Sequence, residues 1–194
     1  MKFKDATRFE FRRFGEDFAV MRDRFAALGS GNKLPASRET YIVTRLNIES
    51  NVKIRGGRLQ VKTLRGRLQM LDEWARPLDS EFPVSVEDVE GIVIPALGLD
   101  LEIGSRGALT EGALLALVSG QHALATIKVD KQRTLFDLGN CVAEFCALRV
   151  GEDKLQTIAI ETPDAEAAFA VLNKVGLGDA QNESYAEFLQ SRLF

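Results

Sequence analysis

The chain has 194 residues, 45% of them hydrophobic, with a net charge of -3 and a single histidine. That length and apolar content suit one domain spanning 1–194 with a substantial core, and the acidic balance argues against a partner held by bulk positive charge, such as duplex nucleic acid. No apolar run of membrane-spanning length occurs, and Met1 to Asp5 leads into charged sequence instead of an apolar signal core, so a soluble cytoplasmic protein with no membrane attachment is expected.

Cys141 and Cys146 are the only cysteines, and their spacing fits neither a redox pair nor a zinc set. They read as small buried hydrophobes. His122, beside Gly120 and Gln121, reads as a surface residue with no partner for base chemistry. Carboxylates, lysines, arginines and a hard cation are what remain for chemistry.

In chain order, Thr7 to Phe14 predicts a strand with Arg8, Glu10 and Arg12 on one face and Phe9 and Phe11 on the other. Glu16 to Leu28 predicts an amphipathic helix stopped by Gly29. Residues 30–38 read as a loop, and Glu39 to Leu46 as a strand rich in β-branched residues. Asn51 to Leu64 predicts a hairpin about Gly56 and Gly57, because a Gly-Gly pair takes positive φ at both central positions without a Cβ clash. Lys53 and Arg55 share one of its faces, and Lys62 returns to that face on the second strand. Like charges on neighbouring strands repel, so the hairpin calls for an anion or for carboxylates opposite; a plain solvated face is the bland alternative.

Arg65-Gly66-Arg67 reads as a second turn and Leu68 to Arg76 as a strand. Pro77 and Pro83 then bracket a loop, and Ser85 to Leu97 predicts a helix with an acidic first turn. Within residues 99–120, ALLALV fits a buried strand or a short helix equally. Ala123 to Leu138 returns to strand. Cys141 to Leu148 is apolar except for Glu144, whose burial asks for a cation, a metal or water. Leu155 to Glu161 is a further strand. Pro163 and Asp164 open a helix running to Val175, and a tail helix covers Ser184 to Leu193. About eight strands with helices between them imply an α+β fold, an antiparallel barrel or strongly curved sheet with helices outside.

Three stretches together resemble the CYTH superfamily, the triphosphate tunnel metalloenzymes, which include class IV adenylate cyclases, thiamine triphosphatases and inorganic triphosphatases. The final strand, its helix and Asn182-Glu183-Ser184-Tyr185 are similar to the family's ending; VKIR and LQVKTL resemble its basic hairpin; Lys128 to Glu144 resembles its later basic and acidic strands. The resemblance implies an eight-stranded tunnel-like β-barrel with phosphate contacts from Arg12, Lys53, Arg55, Lys62, Lys128 and Arg133. It also implies Mg²⁺ or Mn²⁺ held by Glu10, Glu144 and Glu161, a small triphosphate or polyphosphate ligand, phosphohydrolase activity and a homodimer. The chain departs from the family's Glu-x-Glu-x-Lys in its first strand, which here reads Arg8-Phe9-Glu10-Phe11-Arg12. A guanidinium where the leading carboxylate belongs repels a metal. The alternative is therefore a non-catalytic module that binds or senses an anion. The bland reading of each charge is an ion pair across the barrel interior, Glu10 with Arg55 or Lys62 and Glu144 with Lys128.

Overall fold

Gly56 and Gly57 take φ of 55° and 73°, so the expected hairpin turn forms between β4 (Ser50–Arg55) and β5 (Arg58–Leu68). The computed structural model describes residues 7–104 and 107–194; Met1 to Asp5, on which the expectation of no signal core falls, and residues 105–106 of the stretch 99–120 lie outside them. The hairpin is one corner of a sheet that also contains β1 (Arg8–Gly15), β2 (Ser30–Lys33), β3 (Ser37–Thr44), β6 (Leu71–Glu81), β9 (Leu124–Asp137), β10 (Val142–Val150) and β11 (Asp153–Thr162). The order is β10-β11-β1-β6-β5-β4-β3-β9-β2, and β9 pairs back onto β10. That last pairing closes an antiparallel barrel of eight strands. The small β2 extends β3 along the far end of β9.

Closure leaves each strand with an inner and an outer face. The outer face is apolar and covered by helices. On one side α1 (Ala19–Leu28) and α4 (Ala165–Lys174) bury Phe11, Ile158 and Ile160 with Phe25, Ala168 and Leu172. On the other, α2 (residues 86–96, whose middle turn is π-helical) and α3 (Glu111–Ser119) cover Val52, Ile54, Leu59 and Val61. A two-stranded ladder of β7 (Val84–Ser85) and β8 (Ala108–Leu109) borders that layer. ALLALV is thus a helix: Thr110 caps it by accepting from the Ala113 amide, and Leu114 and Val118 face the core one turn apart.

The last helix, α5 (Tyr185–Leu193), packs differently. Its Tyr185, Phe188 and Leu189 meet Phe14, Tyr41, Val43 and Leu148, so it closes one end of the barrel. Ser184 and Glu187 form a reciprocal capping box at its start. Just before it, Asn182 Oδ1 accepts from the Arg12 amide at 2.6 Å and the Glu183 amide donates to the Arg12 carbonyl at 2.9 Å. Beyond Glu10, β1 no longer pairs with β6. The tail satisfies the backbone edge that this leaves.

Three expected boundaries need correction. Residues 65–67 are not a turn: β5 runs on to Leu68, and the chain reverses at Gln69, with φ 54°. Arg65 sits at a register shift between Leu64 and Gly66, where the glycine marks a bulge. Pro77 lies inside β6, opposite the shift between Val61 and Thr63, where no ladder hydrogen bond is asked of it. Residues 30–33 are strand β2, fully exposed and without alternation to announce it.

Leu189 is fully buried at the closed end, whereas Val20 on α1 is 61% exposed. Leu189→Ala is expected to cost about 2 to 5 kcal/mol in urea unfolding, against a change within about 0.5 kcal/mol for Val20→Ala. Equal losses would mean that the tail helix is not part of the core.

Candidate functional site

The inner face at the other end of the barrel is polar. A cavity of about 290 Å³ lies there, floored by Tyr185 and opening past Arg8, Arg76 and Val142. Eight arginines and lysines line it with only three carboxylates, Glu10, Glu144 and Glu161. A larger groove of about 660 Å³ runs past Arg38, Asp130, Arg149 and Lys154. These are outward strand positions, Arg38 is paired with Asp130, and Arg149 and Lys154 are exposed, so the groove gathers no unpaired buried charge.

Two clusters make up the cavity wall. In the first, the Arg12 guanidinium is only 4% exposed and reaches three carboxylates at once. Its Nε donates to Glu10 at 2.8 Å, one Nη donates to Glu144 at 3.0 Å, and the other lies 3.9 Å from Glu161. The strand register explains the convergence. Glu10 and Glu161 are direct partners, and Ala159 stands opposite both Arg12 and Glu144. A methyl group there leaves room for the guanidinium to cross to the next strand. Tyr185 stacks against Arg12 with the guanidinium carbon 4.8 Å from its ring centre. Lys62 closes the cluster, 2.8 Å from Glu10 and 3.5 Å from Glu161. Burial opposes ionisation of Glu10, yet Lys62 and Arg12 hold it well below the usual carboxylate range. Glu144 is lowered in the same way, burial being outweighed by Arg12 and then Lys131.

The second cluster centres on Glu39, which is wholly inaccessible to solvent. One of its oxygens, Oε2, accepts from Lys53 and from the Tyr41 hydroxyl, each at 3.0 Å, and lies 3.0 Å from the Lys131 ammonium, which donates to the Tyr41 hydroxyl at 2.7 Å. The two ammoniums therefore stand within about 6 Å of each other. Arg55 lies 3.7 Å from the other oxygen, which accepts no hydrogen bond among the described residues. Glu39 is held well below its ordinary value: burial works against ionisation, but Lys131 and Lys53 prevail. Lys53 pays for the crowding, since burial and then Lys131 push it down to about 7. Lys131 is lowered too, chiefly by burial.

Of the residues that the resemblance singles out, the structure brings Glu10, Arg12, Lys53, Arg55, Lys62, Arg133, Glu144 and Glu161 to one cavity. Lys128 is the exception. It is exposed and on the outer face of β9, because Ile127, Val129, Lys131 and Arg133 hold the inward positions. The anticipated Glu144–Lys128 pair is accordingly replaced by Glu144–Arg12, and Arg55 pairs with Glu39 instead of Glu10. Sequence reading missed Glu39, Tyr41, Lys131 and Tyr185. The parity of β9, counted from Arg133, is the signal that finds Lys131. Arg8 lines the cavity mouth. Neither Arg8 nor Arg133 has a carboxylate within 4.0 Å among the described residues, and the buried Nε of Arg133 has no hydrogen-bond partner there.

The three carboxylates assigned to Mg²⁺ or Mn²⁺ do not fit a divalent ion in this arrangement. A hard cation needs several free oxygens and room for waters, but all three carboxylates lie within 4.0 Å of Arg12, and Glu10 and Glu161 of Lys62 as well. Among the described residues, no group of three His, Cys, Asp or Glu side chains is placed to hold a metal ion.

A closed antiparallel barrel of eight strands, ionic within and helix-clad without, defines a tunnel barrel. Solved structures share it. A protein from Pyrococcus horikoshii superposes with TM-score 0.53 at 15% identity, over 91% of this chain and 94% of its own. A proposed adenylate cyclase from Bacillus halodurans gives 0.50 at 13%, over 98% of this chain and 100% of its own. The Mimivirus capping enzyme triphosphatase gives 0.52 at 6%, over 89% of this chain and 90% of its own. What these chains share with this one is the fold. No protein-family model and no curated protein matches the sequence.

Glu39→Gln is expected to cost about 3 to 5 kcal/mol at neutral pH, because two buried ammoniums lose their common counter-charge. Glu10, Glu39 and Glu144 all have folded values below their unfolded ones. Their contribution to stability is thus complete above the ordinary carboxylate range and disappears as pH falls through the depressed values. Acid unfolding followed by circular dichroism should be shallower in the variant than in the wild type; superimposable curves would deny Glu39 this role.

Proposed function

We propose that the cavity binds a linear polyphosphate-type anion, as inorganic triphosphate or as the triphosphate tail of a larger molecule. The supporting observation is a surplus of positive charge in an enclosed space. One oxygen of Glu39 serves two ammoniums, and Arg133 and Arg8 face the same cavity with no carboxylate among the described residues. Buried like charges repel strongly in a low dielectric, and an incoming anion relieves that repulsion. Phosphate oxygens accept from several donors at once, which suits the forked guanidiniums of Arg55 and Arg133 and the mobile ammonium of Lys53. Arg8 and Arg76 at the mouth draw the anion in. Tyr185 and the helix behind it end the path, so the ligand enters and leaves by one opening.

Hydrolysis of the bound anion is a second reading, favoured by the barrel shared with the Mimivirus capping enzyme triphosphatase. Phosphate release from tripolyphosphate or a nucleoside triphosphate, abolished by Glu144→Ala with binding retained, would support it. Binding without release supports a carrier or sensor.

Titration calorimetry with tripolyphosphate tests the binding itself. Arg133→Met should weaken it about tenfold, and Lys128→Met should leave it unchanged. Lys53 is charged below about 7 and neutral above, so affinity should fall as pH rises between about 6 and 8. Repeating the series with Lys53→Met separates the ligand's own titration from that of the protein. Equal pH profiles in the two proteins would contradict the assignment, and absence of binding at any pH would overturn the reading.

A further inference from the structure

We infer that the Arg12 guanidinium, seconded by Lys62, is the resident cation of this tunnel, so that the anion is taken up without a divalent metal. The inference rests on the anion-binding reading for its ligand, and on geometry for its cation. Three carboxylates from three strands converge on one guanidinium, each on a different nitrogen, at 2.8, 3.0 and 3.9 Å. That is the task a hard cation would perform, gathering carboxylates at the centre of a cavity. Here a side chain performs it, and the protein has built around that side chain.

Four features fix Arg12 in place. Ala159 leaves the lane open to Glu144. Tyr185 covers the guanidinium face. Thr157 Oγ1 accepts a further, long contact at 3.5 Å from the same Nη that reaches Glu144. Asn182 and Glu183 hold the Arg12 backbone from the open side of β1. A planar fork on a strand clamped at both edges is pre-organised, which is what a permanent substitute for an ion requires. Lys62 takes a second oxygen of Glu10 and approaches Glu161. A divalent ion entering here would have to displace both cations from their carboxylates while standing within a few ångströms of them, at a Coulomb cost that the low dielectric magnifies. Arg8, at the mouth, adds to the barrier.

The division of labour follows. Arg12 and Lys62 offset most of the charge of the three carboxylates, so these repel an anion less. The Glu39 cluster, with Arg133, supplies the donors that touch it. Arg12 is a positioning residue and does not bind the ligand directly, in contrast to the role that the family resemblance gives it.

The experiment uses the full chain freed of metal by a chelating resin, with two independent arms. In the first, Mn²⁺ alone is added and the melting temperature is read for wild type, Arg12→Met and Arg12→Lys. No shift is expected for the wild type, and a rise with Mn²⁺ for Arg12→Met, whose carboxylates have lost their cation; a ligand that binds only the folded state must stabilise it. Arg12→Lys, a point charge that cannot reach three carboxylates, keeps the test alive if the methionine variant does not fold, and should show a smaller rise. A wild-type shift equal to that of the variants overturns the inference. In the second arm, tripolyphosphate is titrated into wild type with excess chelator and again with Mg²⁺. Affinity should not improve with metal, and a gain of about tenfold or more would overturn the inference. If tripolyphosphate binds under neither condition, the anion-binding reading fails, while the Mn²⁺ arm still decides whether Arg12 holds the place of a metal.

Discussion

Placing charge inside a closed barrel is the constraint on which the rest of the structure depends. Arg12, Glu10, Glu39 and Lys131 are each at least nine-tenths buried, and such groups lose several kcal/mol of hydration apiece unless partners replace the water. Side chains from neighbouring strands meet this by converging, so that each buried carboxylate among the described residues has a cationic partner. A helical coat on the outer face supplies the apolar burial that the interior cannot. Phe11, Leu59, Ile158 and Ile160 point outward into that coat while their neighbours along the strand point inward to ions. The tail helix completes the arrangement by filling one end with Tyr185, Phe188 and Leu189, which leaves a polar cavity towards the other.

Compensation is uneven, and the proposed function rests on that unevenness. Around Arg12 charge is nearly matched, with two cations set among three carboxylates. Around Glu39 it is not: Lys53, Lys131 and Arg55 share one acid, and burial and then Lys131 drive Lys53 down to about 7. A structure that needed charge only for its own cohesion would pair these groups or replace them with apolar ones, since buried pairs seldom add net stability. The surplus makes physical sense if an anion visits.

How much of this the sequence disclosed depends on the physical nature of each signal. The hairpin is legible because a Gly-Gly pair between two alternating runs takes positive φ at both central positions without a Cβ clash. Helices α4 and α5 were legible from Asp164, Ser184 and the apolar spacing after them. The cationic face of β4 was read correctly, but that of β9 was not. Along β9 the inward positions change character, from Ile127 and Val129 facing the tail helix to Lys131 and Arg133 facing the cavity. The resemblance picks Lys128, one residue out of phase with Lys131 and Arg133, and hydropathy gives no parity in a barrel whose interior is apolar at one end and ionic at the other. Glu39 escaped notice for a related reason: it opens a β-branched strand and looks like its exposed end, yet barrel closure seals it completely. The convergence on Arg12 depends on the small side chain of Ala159 across two pairings, a relation between strands that no single stretch of sequence contains.

A crystal structure grown in the presence of tripolyphosphate, without added metal, tests the central claim most directly. Phosphate density inside the barrel, in contact with Arg133 and Lys53 and with the Arg12 cluster undisturbed, is the predicted result. Density confined to the outer surface, or an ion seated among Glu10, Glu144 and Glu161 with Arg12 displaced, would contradict it.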